Sequence, residues 1–172
     1  MTVMPETAPQ TALRGRLGTL GEGLDLSASW DGQCLSGRVG SFTAGHGVTV
    51  SLTADGLAGR VGGFTRGFDL RAEVWAGELH LHLGGVDGID ARLDFTPDGA
   101  AGRYGRFTDG LDITLRHYAG EVRGRFGGYT GGTDFRLELG EVPLPLALPL
   151  AAVLAVGALC LWRADVALTA AS

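Results

Sequence analysis

The 172-residue chain contains no lysine and no asparagine; all fourteen basic residues are arginine, against nineteen acidic ones. A formal net charge of -5 lacks the basic excess that neutralises nucleic-acid phosphates, so nucleic acid is not an expected partner. Cysteine is scarce as well. Cys34 lies in a turn-like context and Cys160 in an apolar run, which gives no disulfide framework. The opening MTVMPETAPQTA has neither a basic nor an apolar region of the kind a secretory signal needs, and residues 1–12 are expected to be a disordered tail. Also missing are G-x-S-x-G, the phosphate-binding G-x-x-x-x-G-K-[ST], H-E-x-x-H and C-x-x-C, so no enzyme activity, catalytic residue or cofactor is expected.

What the chain has in excess is glycine, 30 residues without a Gly-X-Y period. Their placement is regular. Gly-Arg recurs at 15–16, 37–38, 59–60, 102–103 and 124–125, with Leu81-His82 in the vacant place, so a unit of 22 residues is copied six times between Leu13 and about Gly140. The fourth copy is one residue short near Asp87. The clearest copy is LAGRVGGFTRGFDLRAEVWAGE, Leu57 to Glu78. Seventeen of the glycines fall at unit positions 3, 6 and 11, and five more in the turns between units.

Each unit alternates apolar and polar residues in two places, as half-buried strands do. Leu57, Gly59 and Val61 share one face; so do Leu70, Ala72 and Val74, with Asp69, Arg71 and Glu73 on the other. Thr-Ala-Asp-Gly and Thr-Pro-Asp-Gly between units are tight-turn chemistry, which predicts hairpins and an antiparallel meander of about twelve strands over 13–141. Symmetric pairing about the internal loop puts unit position 4 opposite position 13. The cross-strand pairs are then Arg16 with Asp25, Arg60 with Asp69, His82 with Asp90, Arg103 with Asp112 and Arg125 with Asp134, while Arg38 faces Gly47. The apolar face of such a sheet must be covered, and curling or closing it does so.

The arginine column is a possible ladder for phosphates or lipid head groups, but each arginine is expected to be neutralised by its aspartate. His80 and His82 point to the same side of one strand, as metal ligands would; no third ligand stands at a recognisable spacing, so no metal is expected. The loop aromatics Phe42, Phe64, Phe107 and Tyr129 suit the loop end of the core.

From Leu144 to Trp162 runs an uncharged stretch of nineteen residues, closed by Arg163. That length can cross a bilayer, with Trp162 and Arg163 as interfacial anchors. Pro143, Pro145 and Pro149 predict a shorter helix opening at Pro149. Apolar on all sides, residues 142–172 are either a membrane anchor or the filling of the β domain.

The opening Leu-x-Gly-Arg-Val, as in Leu35 to Val39, together with turns such as Asp98-Gly99, is similar to membrane occupation and recognition nexus (MORN) hairpin repeats, over about a third of each unit. Twelve antiparallel strands followed by a very apolar helix also resemble the tubby and LURP-one group, in which the helix fills the barrel. That likeness implies a lipid-related or phosphoinositide-binding role, without a residue motif here to carry it. The leading expectation is a non-enzymatic structural or interaction module held at the inner face of a membrane by its C-terminal helix. Membrane lipid is then a partner, and a protein partner or self-association is compatible. Two alternatives stand beside it: a cytoplasmic soluble barrel that buries the helix and binds a lipid or apolar ligand, and a self-assembling β fibre.

Overall fold

A computed structural model of the chain describes residues 11–18, 23–40, 45–62, 67–84, 88–105, 110–118, 120–127, 132–142 and 144–170, in the last of which only the side chains of 146–161 are described. Twelve strands follow one another: β1 (Thr11–Gly18), β2 (Gly23–Trp30), β3 (Cys34–Val39), β4 (His46–Leu52), β5 (Gly56–Gly62), β6 (Gly67–Trp75), β7 (Glu78–Leu83), β8 (Ile89–Thr96), β9 (Gly99–Tyr104), β10 (Leu111–Tyr118), β11 (Glu121–Phe126) and β12 (Thr133–Glu138). One helix, α1 (Leu144–Ala170), comes last. Every strand pairs antiparallel with its sequence neighbours, and β1 pairs with β12, so the meander is a closed barrel without a free edge.

Local chemistry explains the turns. Thr53 N–H donates to the Gly56 carbonyl at 2.8 Å, and Thr53 Oγ1 accepts from Gly56 N–H at 3.0 Å. Asp31 Oδ1 accepts from the amides of Gln33 and Cys34 at 2.9 and 2.7 Å, an Asx turn. At the other end of each strand pair the position-6 glycine leaves the sheet in a left-handed conformation; Gly40 has φ 103° and Gly105 has φ 84°. The loop aromatics Phe42, Phe64, Phe107 and Tyr129 lie outside the described residues. Of the expected N-terminal tail, residues 1–10 do as well, whereas Thr11 and Ala12 are not tail but the first residues of β1, paired with Trp30 and Ser29.

The helix sits inside the barrel. From Leu150 to Leu161 its side chains are buried, packed against the inward column of leucines and valines that includes Leu13, Leu35, Val61, Leu79 and Leu115. The chain enters at the end where the inter-unit turns lie, because β12 finishes there. It runs to the opposite end: Gly157 lies against Val61, and Cys160 Sγ is 3.1 Å from Tyr104 Oη, both partners being at unit position 5. Beside Leu154 no room remains for a water molecule between helix and wall.

This packing bears on an alternative left open above and corrects one expectation. Of the two placements open to the C-terminal helix, its residues 150–161 have the barrel-filling one, where the strands cover their apolar surface. Among the described residues no helix is long and apolar enough to cross a membrane. The helix also begins earlier than its prolines suggested, with Pro149 inside it. Pro145 stands in the first turn, where its missing N–H would have had no partner anyway. Pro149 forfeits one bond to the carbonyl of Pro145, and packing on all sides outweighs that local penalty.

Candidate functional site

Because α1 occupies the interior, the chemistry on display is that of the outer wall. Among the described residues none that is polar or charged is buried, and no three of His, Cys, Asp or Glu are grouped so as to hold a metal.

Position 4 does stand opposite position 13 across each internal hairpin: the register pairs Arg16 with Asp25, Arg60 with Asp69, His82 with Asp90, Arg103 with Asp112, Arg125 with Asp134 and Arg38 with Gly47. The four arginines reach their aspartates through Nη1, at 2.5 Å for Arg16, 2.7 Å for Arg60, 2.8 Å for Arg103 and 2.6 Å for Arg125. Arg38, which has no carboxylate opposite, donates to the Gly45 carbonyl at 3.4 Å. The aspartates are largely exposed, so solvent and salt screen these pairs. In a double-mutant cycle, Arg60→Ala and Asp69→Ala are expected to couple by about 0.2–1 kcal/mol at low salt, and by less as salt is raised. Additive effects on the unfolding free energy would show that the cross-strand contact contributes nothing.

His80 and His82 share the outer face but not a partner. His82 Nδ1 lies 2.6 Å from Asp90 and His80 Nε2 lies 3.0 Å from Glu78, while the Trp75 ring stacks on His80 at 6.0 Å. The contact with His80 holds the Glu78 carboxyl below its ordinary pKa. The backbone amides of Cys34 and then Gln33 do the same for Asp31. At Glu121, burial pushes the pKa up, yet the guanidiniums of Arg123 and Arg136 outweigh it and the net shift is downward.

A second set of cations was not visible in the repeat. Arg116 lies opposite Arg123, Arg123 opposite Arg136, and Arg136 opposite Arg16, on four adjacent strands from β10 through β12 to β1. Arg123, Arg136 and Arg116 occupy unit positions 2, 15 and 17, which vary from copy to copy. Arg136 and Arg16 stand opposite each other only because the barrel closes, so neighbouring hairpins do not reveal the pairing.

No family model, curated protein or solved structure matches the chain.

Proposed function

We propose that the chain is a non-enzymatic interaction module: a sealed barrel of hairpin repeats whose interior is taken by its own helix and whose outer wall meets partners. One observation carries this reading. The space where a barrel of this kind would hold a small ligand is filled by α1, with Leu150, Ala151, Val153, Ala155, Val156 and Ala158 wholly buried. Catalytic and small-molecule sites are concave and place a few polar groups away from water. Among the described residues the interior offers only the Tyr104 and Cys160 pair and the Trp30 indole, so recognition falls to the charged exterior.

The likeness to the tubby and LURP-one group is, on this reading, one of architecture, and that to MORN repeats one of the hairpin unit. The membrane-held form has less in its favour. Its anchor is the helix that fills the barrel, and a wall carrying rows of arginine and aspartate is costly to place in hydrocarbon.

The test is occupancy. A fluorescent fatty acid titrated into the full chain is expected to show no saturable uptake. Saturable uptake that also loosens α1, seen as new proteolytic cleavage between 150 and 161, would replace this reading with that of an apolar-ligand barrel.

A further inference from the structure

Unlike charges face each other across the internal hairpins, yet on β10, β11, β12 and β1 four arginines face one another in a single lateral row, Arg116, Arg123, Arg136 and Arg16. Like charges directly opposite are destabilising, so folding alone does not account for the row. Elsewhere on the wall opposed guanidiniums stop at a pair, Arg92 and Arg103. The row is bounded by Gly99 on one side and Asp25 on the other. These four strands carry six of the fourteen arginines, Arg14 and Arg125 being the others, against the four acids Asp112, Glu121, Asp134 and Glu138. Within these four strands the described charges thus leave an excess of two positive charges, in a molecule of net charge -5.

The acids near the row position it more than they cancel it. Glu121, whose side chain is only 15% exposed, accepts from Arg123 Nε at 3.3 Å and also pairs with Arg136 Nε; both guanidiniums remain 58% exposed. Arg136 Nη2 lies 3.6 Å from Glu138, and Arg16 pairs with Asp25. Arg116 is exposed and has no ion pair among the described residues. A guanidinium has five N–H donors in a planar fork, more than the contacts of Arg123 and Arg136 with Glu121 and Glu138 use, and both side chains stay more than half exposed. Arg16, Arg123 and Arg136 line a groove of about 510 Å³ together with Gly18, Gly124, Asp134 and Phe135.

We propose that this row binds a linear, flexible phosphate polymer, inorganic polyphosphate in chemical class. The proposal rests on the outer wall being the working surface and names what that wall takes. Three considerations select the ligand. Arginine forks match phosphate oxygens two at a time, and every cation here is arginine. The row spans three of the twelve inter-strand steps, a quarter of the barrel's circumference, so its guanidiniums cannot all face one plane. A lipid surface would meet only part of the row, whereas a flexible chain can follow the curve. Thirdly, single-stranded nucleic acid gains much of its affinity by stacking bases on aromatic rings. The aromatic ring next to the row, Tyr118, already has Arg123 over it, 5.3 Å from its centroid.

The experiment titrates the full chain with medium-length inorganic polyphosphate, and in parallel with poly-deoxythymidine, poly-glutamate and phosphatidylserine vesicles. Polyphosphate is expected to bind saturably and more tightly than the other three, with log affinity falling against log salt at a slope of about 3, for four phosphate contacts at roughly 0.7 each. Arg116→Gln is expected to weaken binding about tenfold and to lower the slope by about 0.7. The same substitution relieves a like-charge contact and so should leave the melting temperature unchanged or raise it by about 1–3 °C, which separates lost binding from lost folding. Arg60→Gln, on the other side of the barrel, should bind as the parent does. No saturable binding, tighter binding of any of the other probes, or equal weakening by Arg60→Gln would overturn the proposal. None of these results bears on fatty-acid uptake, so the interaction-module reading stands or falls separately.

Discussion

A chain ended at Glu141 is expected not to fold: it should collect in the insoluble fraction, bind an apolar dye and melt without a cooperative transition. The helix supplies Leu150, Val153, Leu154, Val156, Leu159 and Leu161, all at most 3% exposed. At about 1.5–3 kcal/mol for each fully buried side chain of this size, those six alone are worth as much as the ~5–15 kcal/mol by which a domain is normally stable. The wall loses as much again, since Leu13, Leu35, Leu57, Leu79 and Leu93 would line an open hole. A hole this wide cannot close by small shifts, because the backbone ladder fixes the circumference. Were the truncated chain instead a soluble monomer with a sharp melting transition, α1 would have to be an appendage, and the anchor reading would return. The measurement therefore decides between the two fates that an all-round apolar helix has.

That ambiguity shows where sequence reasoning stops. The hairpins were legible because each is encoded twice within 22 residues, by alternation of apolar side chains and by the opposition of Arg60 to Asp69 and its equivalents. A one-residue slip would turn Leu57 and Val61 outward and break the charge pairs in the same move. Closure was only half legible. An exposed apolar face demands a cover, but nothing in a meander says that β1 rather than a second molecule will pair with β12. The fate of α1 was not legible at all, since lipid and a ring of leucines solvate a uniformly apolar helix equally well. Nor was its start, because Pro145 and Pro149 are read locally as helix breakers and the packing that overrides them is not local. The arginine row failed for the same reason as closure. Arg136 and Arg16 are 120 positions apart in the chain and become neighbours only in the finished barrel.

The largest effect expected from a single methyl group lies at unit position 3. Where the strand holds Gly102, a Cβ would run into the carbonyl oxygen of Arg92 and the Cα of Leu93, both backbone atoms of the adjacent strand β8. Gly59 meets the backbone of Thr49 and Val50 in the same way. At these points the strand comes closer to its neighbour than a side chain allows, and glycines of this kind are where a sheet can curl enough to close. The exposure pattern records it. In β5 and β9 the strict alternation gives way to two half-buried residues at Gly-Arg, whereas β7, with Leu81 at that position, alternates throughout. One unit without the glycine is tolerated, so the others are set by local curvature and not by a rule of the repeat. Backbone cannot rotate away as a side chain can. Gly102→Ala is thus expected to cost about 3 kcal/mol, a fall of roughly 6–12 °C in melting temperature for a chain of this size. Gly47→Ala is the matched control, for a Cβ there meets nothing within 4 Å. It should change stability by less than about 0.5 kcal/mol. If Gly102→Ala melts with the parent, the close approach is not what closes the barrel, and curvature must come instead from the packing of the wall on α1.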